Sequence, residues 1–365
     1  MEDLNFYQTP TKSSLCEIRQ KVSFDFFKEI FEEGVSRLKP VRRKLKGFYV
    51  YAVDGSDLDL PASQSILKSG YRGSKFSKTM ETHYPKMYVV KVFDVLNQIV
   101  VNFNFGKKGV ERQMAREMIP SYERNSIAIY DRLHCGHPTF LAHKRAGNYF
   151  LVRGRDEGKR LSRFITELLA SGKDEIETTW QEKLTYRGKD REGIAVRVFK
   201  IKNPKTKTWS IFVTNLPKAL FTRQELGRLY QKRWEVETSY RDVVSTLKLD
   251  QWHSKSINGI LQEIYTLFWL TNSVKMQIVQ FEDDINIEKR EYRKSNFKLC
   301  FEIVVRHIRK LIKNRIQRLL DLLEFTIKRT RERRTHFGRS YPRAVRCYGT
   351  GFSVANKVPR SSRGA

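Results

Sequence analysis

Two aspartates and one glutamate stand where carboxylates can do chemistry. Asp54 follows the apolar run Phe48 to Val53, Asp131 follows Ser126 to Tyr130, and Glu237 sits one helical turn beyond Arg233 and two beyond Tyr230. Carboxylate oxygens hold hard divalent cations, and magnesium takes only one or two of them, with water and phosphate completing its shell. Three acids therefore suit a site for two ions. A tyrosine and an arginine beside the glutamate could hold a phosphate. A solvated Tyr-Arg-Glu-Arg face with ion pairs is the alternative for an arbitrary helix, and the two upstream aspartates weigh against it. His134, Cys135 and His137 raise the question of zinc, but three ligand types within four positions lack the usual spacing and no fourth is evident, which favours a structural reading. Asp57 and Asp59 are nearby acids that strand alternation turns away from Asp54.

The elements that must position these groups follow from pattern. Phe48 to Val53 is too short and too continuously apolar for a helix and reads as a buried strand. Met87 to Val95 and Ile99 to Phe105 form a hairpin over Leu96-Asn97-Gln98, a helix covers Glu111 to Ile119 up to Pro120, and Ser126 to Tyr130 is the next strand. That order lets the last strand return beside the first as a crossover, so both aspartates meet at the carboxyl edge where α/β sheets gather ligands. Tyr149 to Arg153 is a further strand with Arg153 and Arg155 at its exit. A helix at Leu161 to Ala170 and strands through Ile194, Val196 and Val198 and over Trp209 to Val213 read as a mainly β insertion. Thr222 and Glu225 have capping-box spacing at the start of one long helix to Leu249. On the ideal repeat, Tyr230, Arg233, Glu237, Arg241, Val244 and Lys248 form one stripe beside an apolar stripe of Leu229, Val236, Tyr240, Val243 and Leu247. Ile257 to Phe281 and Phe297 to Arg331 are helical, and one helix with Phe27, Ile30, Phe31, Val35 and Leu38 on its apolar face precedes a basic linker, Arg42, Arg43, Lys44 and Lys46.

The 365 residues carry 70 Lys and Arg against 40 Asp and Glu, a formal charge of +30. A soluble surface needs only a few units of net charge, so the excess points to a polyanionic partner, nucleic acid above all. Cys16, Cys135, Cys300 and Cys347 show no paired spacing, which argues against a disulfide framework and a zinc ribbon and for a reducing compartment. MEDLNFYQTP is not a secretory leader, and Ile260 to Val274, interrupted by Gln262, Glu263 and Asn272, reads as a buried helix, so no membrane partner is expected.

Several segments together resemble the bacterial insertion-sequence transposases of family four, the one with the Tyr-Arg-Glu signature. They are YAVDGSDLDLP around Asp54, SIAIYDR around Asp131, VTNLP, YQKRWEVE around Glu237 and GRSYPR near the end. The resemblance implies a fold of α/β class: a ribonuclease-H-like mixed sheet flanked by helices, with the mainly β insertion before the glutamate helix and a helical C-terminal part. It divides the chain into a lead-in (1–47), a core in two parts (48–155 and 217–282), the insertion (156–216) and a basic helical region (283–365). It implies DNA cleavage and strand transfer by Asp54, Asp131 and Glu237 holding two Mg²⁺ or Mn²⁺ ions, Asp54 bridging them. Tyr230 and Arg233 would position phosphate, and Trp234 would pack in the core or stack on a displaced base. Arg241, Lys248, Arg153, Arg155 and the basic run at Arg331, Arg333 and Arg334 would contact DNA. The expected partners are double-stranded element ends and target DNA and a second copy in a synaptic homodimer, in a bacterial cytoplasm at the nucleoid. Two features depart from the family: Val244 stands where its signature has a basic residue, and the segment before Asp54 leaves little room for a separate recognition domain. A catalytically silent DNA-binding derivative and a structure-specific nuclease on the same fold are the competing readings.

Overall fold

Burial of alternating apolar residues on both faces of a central sheet organises the chain. The computed structural model describes residues 11–73, 84–107, 109–154, 163–180, 192–202, 208–241, 243, 251–289, 293–312, 316–330 and 332–333. In chain order the elements are α1 (Lys12–Lys21), α2 (Phe24–Leu38), β1 (Tyr49–Asp59), α3 (Gln64–Lys68), β2 (Lys86–Asp94), β3 (Ile99–Gly106), α4 (Glu111–Met118), β4 (Ser126–Tyr130), α5 (His137–Ala146), β5 (Tyr149–Arg153), α6 (Arg163–Ala170), β6 (Glu175–Trp180), β7 (Ile194–Lys202), β8 (Trp209–Thr214), α7 (Arg223–Gln231), α8 (Trp234–Arg241), α9 (Ile257–Lys289), α10 (Phe297–Ile312) and α11 (Ile316–Thr330).

Among the described residues the main sheet runs β3-β2-β1-β4-β5-β8-β7-β6. β1, β2 and β3 are antiparallel neighbours, while β4 and β5 run parallel to β1 through helical crossovers. This half has the strand order and directions of a ribonuclease-H-like fold. β8, β7 and β6 continue the same sheet antiparallel from β5. The mainly β insertion expected between Asp131 and Glu237 is thus no separate body: its strands close the open edge that β5 would otherwise expose.

One face of the sheet packs under α2 and α7 to α9 through Val50, Ala52, Ile127, Ile129, Val236 and Tyr240. The other packs under α4 to α6 through Tyr51, Val53, Ala128, Tyr130, Met114 and Phe164. The last turns of α9 join α10 and α11 in a smaller apolar cluster. No helix among the described residues is long and apolar enough to cross a membrane.

Three expectations change. The lead-in has two helices, because Thr11 and Ser23 each cap a helix and Val22 between them is extended. The basic linker is not free: Arg42 is buried, its Nη2 2.9 Å from Asp94, with Nη1 on Glu123 at 2.5 Å and Tyr51 also contacted. The long helix from Thr222 breaks. Its capping box forms, but Lys232, Arg233, Glu235 and Val236 donate to residues three back, and this tighter winding turns the helix face by about 20° more per residue than an α-helix does.

Candidate active site

Alternation along β1 and β4 decides where the aspartates point. Val50 and Ala52, like Ile127 and Ile129, lie in the core beneath α7 to α9. Side chains two residues apart share a face, so Asp54 and Asp131 continue these sets and point toward the side that carries Glu237. The parallel pairing places Ala52 beside Ile129. Asp131 therefore leaves β4 at its carboxyl end, whereas Asp54, expected at a strand end, lies midway along β1, whose later half runs on beside β2 past the end of its pairing with β4.

Helix α8 is pinned over that edge from below. Val236 and Tyr240 are buried, and the Tyr240 hydroxyl lies 3.0 Å from the Val89 carbonyl and 3.2 Å from that of Asp54. Lys91, the cross-strand neighbour of Asp54, is fully buried. Its Nζ donates to Ser239 Oγ at 2.5 Å and stands 3.5 Å from the centre of the Tyr240 ring. A charged group sealed from water needs such partners, and these two both belong to the helix of Glu237.

Asp54 senses the other two acids. Burial pushes the Asp54 carboxyl up to about 6, and the negative charges of Glu237, Asp131 and Glu111 add to the rise while Arg233 offsets part of it. Arg233 Nη2 donates to Glu237 Oε1 at 2.9 Å, with the arginine side chain 8% exposed and the glutamate 34%. Asp131 caps the turn that follows it, accepting from the Leu133 amide at 2.8 Å. Asp131 and Glu237 thus lie near enough for their charges to reach Asp54. As they stand they are not drawn into a metal cage: among the described residues no group of three or more His, Cys, Asp or Glu side chains is gathered to hold an ion. Arg233 and the Leu133 amide engage oxygens that a cation would take. The donor set itself, all oxygen, half-buried and mutually repelling, suits a hard divalent cation.

The remaining expected site residues divide. Tyr230 is buried, its ring edge-on to Phe212 at 4.9 Å, so most of it is core. Trp234 is exposed, with the Arg233 guanidinium 4.8 Å from its ring centre. Arg153 is half-buried at the end of β5 and its charge reaches Tyr230. Arg241 ends α8, while its side chain, together with Arg155, Val244, Lys248, Arg331, Arg334 and the GRSYPR segment, lies outside the described residues. Arg333 belongs to a two-residue strand paired with Arg293–Lys294. Asp57 and Asp59 both face Lys86, at 3.7 and 3.3 Å. His137 is buried with Nε2 3.0 Å from the Glu192 carbonyl, and His134 faces Glu111, so the two rings have separate surroundings.

A family model described as the transposase DDE domain matches residues 46–273, which span the sheet and all three acids. The chain belongs to the transposase DDE-domain family. This DDE domain is 22% identical over 211 residues to the transposase InsG for insertion sequence element IS4 from Escherichia coli (strain K12), covering 55% of this chain and 46% of the relative. The chain therefore spans less than half the length of that relative. Among solved structures it is similar to a piggyBac transposase synaptic complex with hairpin DNA, at 11% identity and a TM-score of 0.41, over 80% of this chain and 59% of the other.

Sequence reasoning passed over Lys91, Tyr88 and Glu111. A lysine within the otherwise apolar run Met87 to Val95 was the available sign for the first. Glu111 reads as an ordinary acid in the first turn of a helix.

Proposed function

We propose that this DDE domain cuts DNA at the ends of an insertion sequence and joins those ends to target DNA. The observation that carries the reading is the charge pattern at the sheet edge. In a chain of +30, Asp54 is half-buried where Glu237 and Asp131 both raise its affinity for a positive partner. On this reading Asp54, Asp131 and Glu237 would hold two divalent ions, Mg²⁺ or Mn²⁺. Such ions supply activation of an attacking water or 3′-hydroxyl and stabilisation of the leaving oxygen when bound.

The chain's own groups do the rest. Tyr240 and Lys91 hold α8 against β1 and β2, so Glu237 stays over the aspartates. Arg233 sits beside Glu237 as a ready cation for a backbone phosphate, and Trp234, exposed next to it, offers a ring on which a displaced base can stack. The partners are double-stranded DNA, as element end and as target, and a second copy that pairs two ends in a bacterial cytoplasm at the nucleoid.

The test uses DNA bearing the inverted repeats that flank the coding sequence, with Mg²⁺ and a target plasmid. Cleavage at the repeat end and strand transfer are expected from the wild type, and only background from Asp54→Asn and Glu237→Gln. Cleavage by either variant at the wild-type rate overturns the assignment.

A further inference from the structure

On the far side of the sheet from α8, three side chains meet that no part of the metal chemistry uses: Glu111, Tyr88 and His134. Glu111 opens α4 and is half-buried. The Tyr88 hydroxyl donates to its Oε2 at 2.6 Å. His134, 1% exposed, brings Nε2 to 3.6 Å from its Oε1. Neither His134 nitrogen is engaged in a hydrogen bond, so this carboxylate is the polar group its ring faces. The other flank of His134 is the Tyr130 ring, 5.0 Å away between centres.

Each partner leads to one of the aspartates. His134 ends the turn that Asp131 caps, and its own amide donates to the Asp131 carbonyl at 3.3 Å. Tyr88 pairs with Asp57 across β1 and β2, and its ring lies over Gly55, the residue after Asp54. A Cβ at Gly55 would meet Tyr88 Cε1 and Oη at 2.5 Å. The glycine is thus where the ring crosses the strand to deliver its hydroxyl to Glu111. The fit is charged on one side: although burial alone would raise it, Glu111 is held below the usual carboxylate range by His134 and Tyr88, and Asp54 in turn senses its charge.

We infer that Glu111 is a positioning residue for the metal-holding aspartates, bracing the Asp54 strand through Tyr88 and the Asp131 turn through His134. The inference rests on the proposed role of Asp54 and Asp131. Without the brace the two strand ends lose their common anchor, and the spacing of their carboxylates loosens. Groups that hydrogen-bond a metal ligand commonly contribute about 10–100-fold in metal affinity or activity; Glu111 acts one contact further out, through Tyr88 and His134, which sets its effect at the lower end.

The test counts bound Mn²⁺ by electron paramagnetic resonance on the full chain, alongside melting temperature and DNA binding in EDTA. Glu111→Ala is expected to weaken Mn²⁺ binding by about 10-fold with DNA binding unchanged. Glu111→Gln should recover part of it, since the amide oxygen still accepts from Tyr88. Tyr88→Phe removes one hydroxyl and leaves the ring over Gly55. It should by itself weaken Mn²⁺ binding while lowering the melting temperature by no more than about 4 °C, which keeps the question open to refutation if Glu111→Ala does not fold. Wild-type affinity in Tyr88→Phe, or in a folded Glu111→Ala, overturns the brace alone, provided Asp54→Asn abolishes binding. If Asp54→Asn binds Mn²⁺ as the wild type does, the reading of the site fails and takes the brace with it.

Discussion

Replacing Asp54 by Asn should stabilise the folded protein while removing its activity, and the gain should depend on pH in a defined direction. Asp54 ionises near 3.8 in an ordinary setting and near 6 in the fold, because it is buried among Glu237, Asp131 and Glu111. Ionising it therefore costs about 3 kcal/mol more in the folded protein than in the unfolded chain, an upper figure since the group keeps some solvent. At acid pH, below the ordinary value, both states hold the proton and Asp54 carries no penalty. As the pH climbs, the unfolded chain ionises first while the fold retains the proton, so stability falls until the folded carboxyl has also ionised, and the full penalty stands above about 6.

An amide of the same shape escapes this. At mildly alkaline pH in EDTA, Asp54→Asn should unfold up to about 4 °C above the wild type, and the difference should vanish at acid pH. Saturating Mg²⁺ or Mn²⁺ should then reverse the order, because a ligand at 1,000 times its Kd adds about 4.1 kcal/mol to the form that binds it. Differential scanning calorimetry of both proteins, at both pH values and with and without the ion, reads all four corners. If the variant is no more stable at alkaline pH, or if its advantage is the same at acid pH, the electrostatic account of the site is wrong.

Arg42→Met should cost about 3–5 kcal/mol in urea unfolding, because it strands Asp94 fully buried without its cation; a loss below about 1 kcal/mol would refute the buried network. Gly55→Ala should cost about 1–2 kcal/mol by displacing Tyr88 from Glu111. In a Tyr88→Ala background the same change should cost almost nothing, and an equal cost in both backgrounds would show that the ring is not what the glycine accommodates.

The aspartates were legible because strand alternation is a local code. Phe48 to Val53 and Ser126 to Tyr130 are short apolar runs that end in an acid, and a period of two places Asp54 and Asp131 on one face whatever else the chain does. The crossover order then brought the two strands side by side, as the parallel pairing of β1 and β4 bears out, although β1 does not end at Asp54 but runs on to Asp59 beside β2. Glu237 was reached through a longer inference, a single helix from Thr222, whose winding changes at Lys232 and Arg233. Glu237 kept its link to Arg233 because both lie on the same short stretch, four residues apart. Tyr230 lies before the change and turned out to be core. Tyr230 nonetheless keeps an interaction with Arg233, and the further members of the stripe, the Arg241 side chain, Val244 and Lys248, lie outside the described residues.

What no periodicity could supply is the set of contacts that cross between elements. Arg42 sits among four closely spaced basic residues that composition reads as a linker, yet it is locked by Asp94 and Tyr51 from two later strands and by Glu123 from the loop before β4. Glu111 looks like a helix-opening acid, and only the fold shows that Tyr88 from β2 and His134 from the turn after β4 both end on it. Buried polar groups are costly unless partnered, so each of these side chains has somewhere it must go, but its partner lies tens of residues away and carries no pattern of its own. The same logic explains why the charged residues that braced the site were the ones hardest to place. A stripe of apolar residues announces a face through repetition, whereas a single buried ion announces nothing until the strand that neutralises it has been brought alongside.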